Sequence, residues 1–223
     1  MNRSIVWHLI LKDLYLYRWL MAASLVVGVG GLLIQGEEGA AANIRLILMM
    51  TSIIALGIFI AMYGVLAERQ TKSLLFVLSL PISPMQYTAA KVTAALIAFL
   101  GPWLAITALI VAATLTRDPP PDGSLPFAIA LMVFMLANFC ALLALLLITR
   151  SELWAVAGIL LTNFGVASYM NVVPRIPGIA EHSSGPVAVW NSEILTVIGV
   201  EAAVAVLCLV VALYVQSRRR DFI

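Results

Sequence analysis

The chain has 223 residues, of which 63% are hydrophobic and 11% charged, and its mean hydropathy is +1.06. These values exclude an ordinary water-soluble domain and leave no polar stretch long enough for a second one. The net charge of +2 and pI near 8.7 come from basic residues at the ends of apolar runs, not from one basic face, which excludes a nucleic-acid surface.

In residues 3–18, Ser4, His8, Lys12 and Tyr15 recur at spacings of four, four and three, and Ile5, Leu9, Ile10, Leu14 and Leu16 fill much of the rest. This pattern predicts an amphipathic elbow helix in the membrane plane, with Lys12 and Arg18 toward anionic headgroups. A plain topogenic flank is the alternative. No small-residue cleavage site precedes the first span, which is therefore expected to remain as a signal anchor.

Apolar runs, uncharged except for Glu201 in the sixth, then predict spans over about residues 19–36, 46–67, 92–116, 125–149, 153–173 and 194–216, each long enough to cross a bilayer. Hydrocarbon cannot satisfy exposed backbone groups, and long unbroken apolar runs select helices over barrel strands. The predicted fold is thus an all-α integral membrane protein of six transmembrane helices, a single domain over 1–223. No internal repeat of the kind seen in secondary transporters is visible.

With the N-terminus inside, the inner segments hold Arg3, Lys12, Arg18, Arg69, Lys72, Lys91, Arg150, Arg218, Arg219 and Arg220, and only Arg45, Arg117 and Arg175 lie outside. The positive-inside rule therefore predicts a multi-pass protein of the inner or plasma membrane with both termini cytoplasmic. Of the outer segments, 175–193 is the most irregular, broken by Pro177, Gly178, Gly185 and Pro186. Its apolar piece 187–190 leaves open a re-entrant turn or an ordinary loop, before Asn191 or Ser192 caps the sixth helix.

Catalytic motifs are missing. The glycines at 28, 30 and 31 lie in the first span without a Gly-Lys-Ser/Thr ending, so the chain is not expected to hydrolyse ATP by itself. There is no His-Glu-x-x-His or Gly-x-Ser-x-Gly, and His8 and His182 are predicted on opposite sides, so no metal or catalytic triad is expected. Cys140 and Cys208 fall inside apolar runs and read as small hydrophobes.

Polar residues within the spans are few. Glu201 stands about two turns inside the sixth span from its outer end. It could line a path near an outer gate, bind a proton or a cationic cargo group, or be protonated and packed. In the fifth span Ala155, Gly158, Thr162 and Gly165 form one small-residue face with Asn163 beside it, which suits either close packing within the chain or contact with a second copy. Asn138 in the fourth span is expected to bridge neighbouring helices.

Between the second and third spans, residues 68–91 open on Glu68, Arg69, Thr71 and Lys72, continue through an apolar run at 74–80, stop at Pro81 and Pro84, and restart toward Lys91. That composition predicts a short helix beneath the membrane that offers a surface to a cytoplasmic partner, with a solvated loop as the bland alternative. Glu68, Arg69, Thr71, Leu74, Leu78, Leu80, Pro81, Ser83 and Lys91 resemble the first cytoplasmic loop of type-2 ATP-binding-cassette exporter permeases. The whole chain resembles that family in its elbow, six spans, irregular last outer segment and basic C-terminus. It departs at Lys72, where many relatives carry Gly, and at Pro84, where many carry a basic residue.

The resemblance implies a coupling segment over 68–91 that docks on a separate ATPase subunit through Glu68, Arg69, Thr71, Lys72, Leu80 and Pro81. It implies that ATP and Mg are bound by that partner, with no cofactor in this chain, and that two permease chains work as a homodimer or related heterodimer in the lipid. It also places the second and fifth spans beside the path, so that Gly158, Thr162, Asn163 and Gly165 would line the path or the protomer interface, with Glu201 of the sixth span a further candidate on its own account. Few charges and short outer loops favour export of a hydrophobic or amphipathic substrate such as a lipid, peptide or drug. Two rivals are an ion-coupled carrier using Glu201, expected to show repeats and more buried charges, and a non-transporting scaffold or sensor, which leaves 68–91 unexplained.

Overall fold

Long apolar runs with no breaker between them close their own backbone hydrogen bonds, and this chain does so six times. The computed structural model describes residues 3–34, 40–67, 83–116, 122–149, 151–183 and 185–218. Its long helices are α1 (Arg3–Leu32), α2 (Ala40–Ala61), α3 (Pro84–Leu115), α4 (Leu125–Thr149), α5 (Glu152–Val172) and α6 (Ser192–Arg218). All six are long and apolar enough to cross a membrane.

The helix starting at Arg3 runs without interruption to Leu32. The break expected near residue 18, between an elbow and a first span, is therefore absent. Arg18 marks a charge in the chain but breaks no helical hydrogen bond, and no Gly or Pro occurs before Gly28. At 30 residues α1 is about 45 Å long, more than the ~30 Å hydrocarbon core, so it projects beyond that layer.

The third span likewise begins earlier than its apolar run. Ser83 caps α3, its hydroxyl accepting from the Gln86 backbone N–H at 3.2 Å while the Gln86 side chain accepts from the Ser83 N–H at 3.0 Å. Pro84 occupies the first turn, where a missing N–H costs nothing. Residues 84–91 of the expected coupling segment are thus the opening turns of α3.

The central helix is α4. In its most apolar window 61% of residues are buried, against 17% for α6, which packs along it. On the opposite flank α1 lies against α2 and α3, and α5 rests on α4. Phe99 of α3 stacks on Phe139 of α4 with centroids 4.1 Å apart. Gly57 of α2 sits directly on that stack, where a Cβ would come within 3.2 Å of Phe139 and 3.3 Å of Phe99. Glycine here lets the three helices meet closely.

Interhelical polar contacts fasten the seams. The Trp103 indole N–H donates to the Met132 carbonyl at 2.7 Å, joining α3 to α4. The Ser24 hydroxyl donates to the Ser52 carbonyl at 3.1 Å, joining α1 to α2. The buried Gln216 amide donates to the Leu147 carbonyl, joining the end of α6 to the end of α4. At the far end of the bundle the Gly123 N–H donates to the Gly185 carbonyl at 3.0 Å, and Asn191 caps α6 by accepting from the Ile194 N–H at 3.0 Å.

The strongest contact joins α1 to α3. The Lys91 ammonium lies 2.7 Å from the Asp13 carboxylate, and the side chains are only 8% and 2% exposed. Around them pack Leu9, Ile10, Ala90 and Ala94. Removing one partner leaves the other charge buried, a loss of about 3–5 kcal/mol, whereas an apolar pair of similar volume is often tolerated. We therefore expect Asp13→Ala or Lys91→Ala to lower stability by about 3–5 kcal/mol, and Asp13→Leu with Lys91→Met to retain most of it, as measured by denaturant unfolding of the purified protein in detergent.

Candidate functional site

Two features of the bundle go beyond packing. The first is the way α1 grips both roots of the segment between α2 and α3. Beyond Ala61, α2 widens into a π-helical turn, Met62–Ala67, of the kind that often marks functional positions. Tyr17 is buried beside this turn, so close to Gly64 that a Cβ there would strike its hydroxyl. One turn earlier on the same face of α1, Asp13 holds Lys91 at the start of α3. A single face of α1 therefore holds the chain just before and just after residues 68–82. The expected docking residues Glu68, Arg69, Thr71, Lys72, Leu80 and Pro81 lie outside the described residues.

The second feature is a buried polar pair. Glu201 of α6 is 7% exposed, and neither carboxyl oxygen has a hydrogen-bond partner. It interacts with the Tyr169 side chain of α5 without a regular hydrogen bond, and the Tyr169 hydroxyl is also buried without a hydrogen-bond partner. The Tyr169 ring stacks on Phe134 of α4 with centroids 4.1 Å apart. Helices α4, α5 and α6 thus converge on an acid and a phenol inside a largely apolar bundle.

The small-residue face of α5 is turned toward α4. A Cβ at Gly158 would come within 2.5 Å of Leu145 and 3.1 Å of Leu142, and Ala155 is fully buried. Gly165 faces Phe134 and Asn138 more loosely, at 3.8 and 3.9 Å. Thr162 lines a small cavity of about 30 Å³ with Ile53, Gly57, Phe99, Asn138 and Val166. The Asn138 amide nitrogen is buried there without a hydrogen-bond partner. Asn163 points the other way, exposed, its amide folded back on the Ile159 carbonyl at 2.8 Å. It shares that face with Leu160, Leu161 and Phe164, all more than 60% exposed. Gly158, Thr162 and Gly165 therefore share one seam with the Tyr169–Glu201 pair, and Asn163 does not.

Asp13 and Tyr169 were not singled out from the sequence. Asp13 carries a legible signal: it follows Leu9 by four residues and Ile10 by three, which places an acid on the apolar side of the helix. Tyr169, near the end of a span, reads as an ordinary interfacial aromatic. Among the described residues no group of three or more His, Cys, Asp or Glu is placed to hold a metal.

A bundle of six helices of membrane length and composition defines a multi-pass membrane protein. The chain belongs to the ABC-2 family of transporter proteins, whose family model, described as "ABC-2 family transporter protein", matches residues 8–218. No curated protein and no solved structure matches it. The family is one of membrane permease subunits, so the chain is a permease subunit and not itself a catalyst.

The α4–α5 seam has two glycines in different surroundings, and they should respond differently. Gly158→Leu is expected to overpack against Leu142 and Leu145 and cost about 1–3 kcal/mol. Gly165→Ala meets only ordinary contacts and should be neutral or stabilising by about 0.4–1 kcal/mol. Unfolding of the two variants in detergent, measured side by side, checks both.

Proposed function

We propose that the chain is the transmembrane subunit of an exporter that moves a hydrophobic or amphipathic substrate, driven by a separate ATP-binding subunit and working beside a second permease chain. The observation that carries this reading is the family match across residues 8–218. Under this proposal residues 68–82 dock on the ATPase at the cytoplasmic face, where both termini also lie.

The geometry of α1 supports the mechanism. Because Tyr17 and Asp13 seat on Gly64 and Lys91, a push on 68–82 would reach α1, α2 and α3 together instead of bending the segment alone. ATP binding and release in the partner would then rock these three helices relative to α4, α5 and α6. The exposed face of α5, with Asn163 among large apolar side chains, is our candidate for the surface that meets the second permease chain and borders the path. Lipid would cover the other exposed apolar faces, such as that of α6 around Val206, Leu207 and Val210.

Co-purification of the tagged chain from its native host should bring down an ATPase subunit with vanadate-sensitive activity. Glu68→Ala with Arg69→Ala should lose that subunit, or lower its activity at least severalfold, without lowering the yield of the folded chain. Retrieval of the wild-type chain with no ATPase after gentle extraction would sink this reading in favour of an ion-coupled carrier.

A further inference from the structure

Glu201 is the ionisable group that the transport reading leaves unused. Its position is about a third of the way along α6, nine residues past Ser192 in a helix of 27, and no cation among the described residues interacts with it directly. Helix α4 contains no Asp, Glu, Lys, Arg or His, and its one thiol is Cys140. Helix α3 offers Tyr87 and Lys91, both at its opposite end. From α5 comes Tyr169, with Glu152 at that helix's other end; the turn Val173–Arg175 that follows carries Arg175, and the one-turn helix Pro177–Ala180 carries no charge. Within α6 itself the other ionisable groups are Glu193, Cys208, Tyr214 and Arg218. Among the described residues, Tyr169 is the one ionisable side chain interacting directly with Glu201.

Both carboxyl oxygens and the Tyr169 hydroxyl are closed off from solvent, so no ion or solvent molecule can touch them in this packing. An isolated carboxylate in such a place is among the costliest groups a protein can bury. A ligand that removes the charge must also need no volume, and the proton alone meets both conditions.

We propose that Glu201 is an internal proton-binding site: in this packing its carboxyl carries a proton, with the Tyr169 side chain next to it, and the proton leaves only when α6 shifts against α4 and α5 and admits water. In that step the carboxyl O–H bond breaks, the proton passes to water, and the carboxylate is stabilised by hydration. Protons therefore favour the closed packing. Where the opened form ionises, each unit rise in pH favours opening by up to about tenfold. Tyr169 is a positioning residue, its own ring held against that of Phe134.

The test is infrared spectroscopy of the full-length protein in lipid, comparing wild type, Glu201→Gln and Tyr169→Phe. The Gln variant has the shape of the neutral acid and should fold as the wild type does. A carboxylic-acid C=O band present in wild type is expected to vanish in Glu201→Gln and to shift in Tyr169→Phe. On transfer to D2O the band should move slowly. Loss of a carboxylate band in Glu201→Gln, with no acid band affected, overturns the proposal. An acid band that ignores Tyr169→Phe refutes the positioning role of Tyr169, and one that shifts at once in D2O refutes the closure. The measurement needs no ATPase partner, so its outcome is separate from that of the transport reading.

Discussion

Hydrocarbon offers no partner to a charge or a hydrogen-bonding group, so every polar side chain between the membrane helices must be satisfied by the protein itself. The ion pair of Asp13 and Lys91 answers that requirement with 2.7 Å between charges and both side chains nearly sealed, Lys12 lying 3.5 Å from the other Asp13 oxygen. The seam between α1 and α3 depends on it. Without the pair, the apolar contacts of Leu9, Ile10, Ala90 and Ala94 would enclose either a lone acid or a lone ammonium. The same constraint explains smaller features: a tryptophan N–H on a carbonyl of the next helix, a glutamine amide on another, and a serine hydroxyl on a third.

Seen this way, the bundle has two unequal halves. Around α1, α2 and α3 the buried charges are paired, and the pairing anchors both roots of residues 68–82 to one helix. Around α4, α5 and α6 the buried polar groups of Glu201, Tyr169 and Asn138 lack regular partners. A paired half suits a lever and an unpaired half suits a site that changes state. The proposed transport cycle uses the first as the part that receives force and the second as the part that rearranges.

Much of this architecture was legible in the residues. Apolar runs bounded by charges marked all six spans, since insertion into lipid depends on composition over about 20 residues, and the family resemblance of 68–91 agrees with the match across 8–218. Helix ends were less legible because they follow caps and breakers instead of charges. Arg18 interrupts nothing, and Ser83 with Gln86 starts α3 two turns before Lys91. Pairings were least legible. Asp13 and Lys91 are far apart in the chain, and their meeting follows from how α1 crosses α3, which no local pattern encodes. The small face of α5 was visible, but the helix it turns toward, α4, was not.

The central proposal is that this chain meets a second permease chain, its own copy in a homodimer, along α5, and that both are moved by a nucleotide cycle in a separate subunit. A spin label on a cysteine replacing Leu161, which is 70% exposed, tests it directly, with Cys140 and Cys208 replaced by Ala and the protein co-purified with its ATPase. The account predicts a defined distance between labels on two copies that changes when nucleotide is trapped with vanadate. A label that reports no second copy, or a distance unchanged by trapped nucleotide, would contradict it.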